Sequence, residues 1–182
     1  RSGDAKQAIL HLRAFLRHCP EHVDARLALA TALIRAGRHT EGRQMLDVTA
    51  RHHRLTLDQE SQMLQRLGKL AYDEGQFAQA AQHMRTALEI QPESGEIHNW
   101  LGLCELASED VAAAATAFAA ACEAGCDLAY TNLGICYTRL GRLDTAVQCF
   151  AKAVQELPDD PVARANYEAG IAAQQIKAPT TA

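Results

Sequence analysis

The stretch CYTRLGRLDTAVQC, residues 136–149, begins and ends on a cysteine, and four more cysteines lie elsewhere in the chain. Thiolates bind metals, attack electrophiles and exchange disulfides, so their spacing is weighed first. Cys122 and Cys126 are four apart and could share a helical face, which makes a metal site or a disulfide geometrically conceivable. Neither has a CxxC partner, and Gly125 is expected to turn Cys126 away. RHCPEH, residues 17–22, sets Cys19 between His18 and His22 and is the most metal-like cluster. Pro20 ends a helix there and would separate the groups. His52 and His53 in ARHHRL read as a solvated helix end, where positive charge suits the helix dipole.

Nothing else in the chain assembles a nucleophile, a base and an orienting group. Serine is rare, and GxSxG, HExxH and the phosphate-binding GxxxxGK followed by Ser or Thr do not occur. The carboxylate pairs Glu109–Asp110 and Asp159–Asp160 precede helices, where capping accounts for them. The expectation is a protein that is not an enzyme and has no cofactor and no metal.

A formal charge of −4 and the lack of a basic block argue against a nucleic-acid partner. No apolar run approaches the roughly 18 residues of a membrane-spanning helix, so direct membrane insertion is not expected. Cytoplasmic placement is expected. A periplasmic or envelope-associated placement stays open because the chain begins at Arg1 rather than Met, which is read as truncation of a longer protein.

Only 5% of residues are aromatic, alanine is abundant and Val and Ile are sparse, a composition of close-packed helices rather than sheet. Apolar periodicity, caps and turn glycines predict helices at 4–18, 24–36, 39–53, 57–74, 77–90, 94–107, 110–124, 127–140, 143–156 and 160–176. Gly37, Gly75 and Gly141 fall where a left-handed residue stops a helix. Thr56 with Gln59 has capping-box spacing, and Asp160 before Pro161 caps the last helix.

The helices repeat. A small residue followed four later by a large one recurs as Ala8 and Leu12, Gly42 and Leu46, Ala80 and Met84, Ala114 and Phe118, and Ala146 and Phe150. Ala30, Gly68, Gly102 and Gly134, each preceded by leucine, keep the same spacing, and Ala87, Ala121 and Ala153 form a further small position. Two helices approach closely only where side chains are small, so Gly102 is expected against Ala114 and Gly134 against Ala146, with the large residue filling the wedge. Cys104 and Cys136 each follow the close-contact glycine by two and are expected as buried space fillers.

Tyr130-x2-Leu133-Gly134-x2-Tyr137, Ala146-x3-Phe150 and Pro158 together resemble the tetratricopeptide repeat, a helix–turn–helix unit of about 34 residues, with Tyr130 in place of its usual Trp. Other units depart from the pattern: Ala71 and Glu105 stand where an aromatic is usual, and Gly42 replaces an alanine. The resemblance implies an all-α, right-handed superhelical solenoid of antiparallel helix pairs running over residues 1–176. It would comprise the second helix of a truncated repeat (4–18), repeats 23–56, 61–94, 95–126 and 127–160, and a capping helix 160–176. Glu168 in place of the close-contact glycine marks that helix as the solvated end, and 177–182 are expected to be a disordered tail.

In this family first helices line a concave groove in which protein or peptide partners bind. Carried over, the groove positions here are Thr31 and Arg35; Gln65, Arg66, Lys69 and Tyr72; Asn99, Trp100 and Leu103; Thr131, Asn132, Ile135 and Arg139; and Asn166. Asparagine amides can pair with both donor and acceptor of a peptide backbone, and Trp100 offers an anchor's apolar area. The Lys and Asn pattern by which some members clamp a C-terminal carboxylate is not reproduced: Lys69 stands alone, with Leu27 and Thr31 at the first-unit positions. The implied function is a non-enzymatic scaffold holding a peptide or helix of a partner protein, and the Ala-, Leu- and Arg-rich usage points to a larger bacterial assembly. The alternative is a self-assembling module, a homo-oligomer that stacks through the exposed N-terminal repeat face.

Overall fold

The computed structural model describes residues 2–177, which contain ten α-helices and no strand. These are α1 (Ser2–His18), α2 (Val23–Arg35), α3 (His39–His52), α4 (Leu57–Asp73), α5 (Phe77–Ile90), α6 (Gly95–Ala107), α7 (Val111–Glu123), α8 (Ala129–Arg139), α9 (Leu143–Glu156) and α10 (Pro161–Lys177). The ends predicted from sequence differ from these by no more than two residues. The tail expected at 177–182 lies outside the described residues, apart from Lys177, which closes α10.

Local chemistry explains the boundaries. Thr56 and Gln59 form a reciprocal capping box at α4, each side chain accepting from the other's backbone N–H. Ser94 caps α6, and Asp110 caps α7 by accepting from the Ala113 N–H at 2.9 Å. Asp160 accepts from the Val162 N–H at 2.9 Å at the head of α10, leaving Pro161 in the first helical position, where no N–H is needed. Gly37, Gly75 and Gly141 all take positive φ, between +73° and +78°. At the equivalent turn between α6 and α7 stands Glu109, with φ of 66°, the one non-glycine residue in this conformation among those described. A side chain there crowds the following carbonyl. Glu109→Gly is expected to raise unfolding free energy by about 0.5–1 kcal/mol, the relief of strain exceeding glycine's entropic cost; chemical denaturation reads the change.

The chain divides into two compact units, Arg1–Pro92 and Glu93–Ala182. In the first, α2 and α3 form one antiparallel hairpin, α4 and α5 another, and α1 packs on α2. Leu27, Ala30, Leu46 and Met63 form a core joining α2, α3 and α4, while Ile9 of α1 joins Leu29 and Leu33. In the second unit the hairpins are α6 with α7 and α8 with α9; α7 also packs on α8, and α10 covers α9. The core there gathers Ala114, Phe118, Ala121, Ala129, Leu133 and Cys136.

The nearest neighbours of the repeated glycines are the large wedge residues. A Cβ placed on Gly102 would lie 2.6 Å from Cε1 and 2.7 Å from Cδ1 of Phe118, and one on Gly134 would meet the Phe150 ring. Glycine thus makes room for the wedge residue itself, in addition to the close approach to the opposing alanine that was expected. At Gly68 both apply, with Met84 Cε 2.6 Å and the Ala80 carbonyl 3.3 Å from the position of an added Cβ. Glu168 on α10 is exposed, and Gly170 and Ala163 supply the packed face instead.

Candidate functional site

The helices that precede each turn carry the polar candidates. In the first unit, Thr31 of α2 and Arg66 of α4 are joined directly. Arg66 Nε donates to Thr31 Oγ1 at 2.8 Å, and Thr31 in turn donates to the Leu27 carbonyl at 2.9 Å. Gln62, one turn before Arg66, accepts from Nη1 through its carbonyl at 2.8 Å. Arg35 is exposed and lines the same cleft of about 440 Å³ as Thr31 and Arg66. The cleft also takes in Asp4, Ala8 and Leu12 of α1, which the groove assignment missed because α1 belongs to the other helix class. Gln62 was missed as well, although its four-residue spacing from Arg66 is a legible signal. Gln65 donates to Ser61 Oγ at 3.3 Å. Lys69 and Tyr72 are half-buried further along α4, Tyr72 with its ring 5.3 Å from that of Phe77.

In the second unit, Asn132 Nδ2 on α8 donates to Asn99 Oδ1 on α6 at 3.5 Å, a long bond joining two successive first helices. Trp100 and Leu103 are half-buried beside them on α6. Ile135 and Arg139 of α8 and Asn166 of α10 meet at a cleft of about 330 Å³ whose wall includes Phe150 and Gly170. Thr131 departs from expectation: it is only 8% exposed, and its Oγ1 is buried with no partner. It shares its repeat position with Gln65 and Asn99, whose longer side chains are half-buried, whereas its short hydroxyl stays beneath its neighbours. A groove contact through Thr131 is therefore corrected to a packing position.

Apart from exposed Cys19, the cysteines resolve as packing. All six cysteines are free. Cys104 and Cys136 are fully buried, and burial pushes the Cys136 thiol up to about 11. Cys126 does not turn away as expected: Cys122, Cys126 and Cys149 all pack against one core cluster. Burial, with smaller contributions from Cys149 and Cys126, pushes the Cys122 thiol up to about 12. Thiolate is the reactive form, so these thiols are protected twice, by occlusion and by protonation. A maleimide at neutral pH is expected to label exposed Cys19 within minutes and Cys136 only after unfolding; mass spectrometry of the digested protein reads both, and rapid labelling of Cys136 would contradict the packing assignment.

His52 is exposed as expected, but His53 is not part of a solvated end. Its side chain is 6% exposed, with Nδ1 3.2 Å from Glu21 Oε2 and Nε2 buried without a partner. This contact ties the end of α3 to the turn between α1 and α2. Among the described residues no group of three or more His, Cys, Asp or Glu side chains is arranged to hold a metal ion, and no helix is long and apolar enough to cross a membrane.

Comparison with known proteins bears on this architecture. By structure the chain is similar to BtubC from P. vanneervenii (TM-score 0.77, 20% identity, 96% of this chain and 83% of that one). It is also similar to MamA (0.72, 20%, 86% and 90%) and to YrrB, described as a tetratricopeptide repeat protein with an unusual peptide-binding site (0.69, 18%, 91% and 84%). No curated protein matches it by sequence. Three family models, each described as tetratricopeptide repeat, match residues 1–67, 66–128 and 128–160. With ten helices, no strand among the described residues and the repeated glycine and wedge positions, the chain belongs to the tetratricopeptide repeat family and has its all-α fold.

Proposed function

We infer that the protein is a non-enzymatic interaction scaffold whose first helices receive a peptide or helix of a partner protein, as one part of a larger bacterial assembly. The observation that carries this reading is the meeting of polar and apolar first-helix residues at common clefts: Ile135, Arg139 and Asn166 at one, Thr31, Arg35 and Arg66 at the other. Such clefts combine area for side-chain burial with a few orienting hydrogen-bond groups. The Asn99 and Asn132 amides are joined by a single long hydrogen bond, so a peptide backbone can compete for them at small cost. Similarity to a protein described as peptide-binding agrees with the reading.

The test uses peptides from proteins that the chain captures in lysate of its source. Trp100→Ala combined with Asn132→Ala is expected to weaken binding at least tenfold with the helical circular dichroism unchanged. Intact binding to every partner would remove the groove from the reading. A second reading, self-association through α1, is favoured by Leu10, 63% exposed, and Phe15, 44% exposed. Sedimentation over a hundredfold concentration range distinguishes it, since a monomer throughout excludes it.

A further inference from the structure

Arg66 holds an unusual position for a cation. It is half-buried, yet no carboxylate lies within ion-pair distance of it among the described residues. Buried charges are normally paired, because the charged form loses its hydration without compensation. Nε and Nη1 are occupied by neutral acceptors, Thr31 Oγ1 and the Gln62 carbonyl, and Nη2 has no acceptor among the described residues. Burial pushes the Arg66 pKa down, and Asp24 and Asp58 oppose that only from a distance. Each of those carboxylates already accepts from a glutamine amide, Asp24 from Gln59 and Asp58 from Gln62 and Gln91.

The cleft in front of Arg66 supplies the rest of a binding site. Arg35, one turn beyond Thr31, is a second arginine lining it, and Ala8 of α1 and Ala28 of α2 give it an apolar wall of small residues. Two cations and one anion, Asp4, line it, so the lining carries one net positive charge. A single carboxylate neutralises that charge. A phosphate dianion would overshoot it and face Asp4 as well.

We propose that this cleft is a subsite for one acidic side chain, Asp or Glu, of the partner segment, its carboxylate bridging Arg66 Nη2 and the Arg35 guanidinium. The small residue beside it in the partner rests on Ala8 and Ala28. Two charged donors converging on one carboxylate from different helices give direction as well as attraction, which fixes the register of the bound segment. The proposal rests on the scaffold reading above and adds the chemistry of the partner.

The test pans the full chain against a random 12-residue peptide library displayed without a free C-terminus, so that only side chains offer carboxylates. Selected sequences are expected to hold Asp or Glu at one fixed place. In the synthetic peptide, Glu→Gln or Asp→Asn there should weaken binding about tenfold. Arg35→Gln, at an exposed position that leaves the fold intact, should weaken the acidic peptide at least threefold and leave its amide analogue unchanged. Arg66→Met should do the same more strongly, with circular dichroism confirming its fold. Selected peptides with no acidic preference, or an Arg35→Gln chain that binds the acidic peptide as the parent does, would overturn the subsite while leaving the scaffold reading standing. Selection of no peptide would overturn both.

Discussion

Gly102→Leu is expected to lower the unfolding free energy by about 3 kcal/mol or more, among the most damaging of conservative-looking apolar substitutions in this chain. Helix propensity pulls the other way, since replacing a mid-helix glycine by leucine is worth somewhat under about 1 kcal/mol. Packing decides. Even the first added carbon would sit 2.6 Å from the Phe118 ring, which is itself fully buried against α7 and α8 and has no free direction in which to retreat. Urea denaturation of the variant and its parent measures the difference. A loss of less than about 1 kcal/mol would mean that the ring can move and that the close approach is slack.

Phe118→Ala is expected to cost about 3–5 kcal/mol, the range for deleting a buried aromatic side chain and leaving a cavity. The ring touches Gly102, and it shares its cluster with Ala114, Ala121, Leu133 and Cys136, so its loss opens the contact between α6, α7 and α8 at once. A double-mutant cycle with Gly102→Ala provides the sharper measurement. In the parent, Gly102→Ala meets the ring and destabilises; in the Phe118→Ala background it no longer does, and the helix-propensity gain of about 1 kcal/mol remains. The sign of the Gly102→Ala effect is therefore expected to reverse between the two backgrounds, and additivity would show that the pair does not form the wedge.

Residue spacing carried much of this fold openly. The same pair, a small residue and a large one four later, recurs at intervals of about one repeat length from Ala8 to Phe150, and this recurrence has no local purpose, because copies that far apart in sequence cannot meet within one helix. Repetition makes sense only if neighbouring helices present the same surface to each other, and so it reports packing between helices. The caps were legible for a related reason: Thr56, Asp110 and Asp160 satisfy backbone groups two or three residues away, an interaction wholly contained in the local sequence.

Depth was not legible in the same way. Thr131, Gln65 and Asn99 occupy one repeat position, and the carry-over treats them alike, but the Thr131 hydroxyl, on the shorter side chain, lies below the surface. His53 follows His52 in sequence and resembles it in chemistry. One faces solvent, whereas the other turns inward to reach Glu21, 32 residues away in sequence. Glu109 sits in a turn where its neighbours in the repeat have glycine, and only the backbone reveals that it accepts the strained conformation.

By itself, then, the amino-acid sequence determined the helices, their ends, their pairing into hairpins and the class of residue at each contact, because periodicity and capping are short-range and survive repetition. The tertiary structure alone decided which polar groups stand partnered and which do not. Arg66 is one arginine among many in the sequence; its half-burial, its neutral hydrogen-bond partners and the arrival of Arg35 and Asp4 at the same cleft arise from three helices, α1, α2 and α4, brought together. Electrostatic environment is a sum over neighbours in space, and the spacing of residues along a chain does not contain that sum.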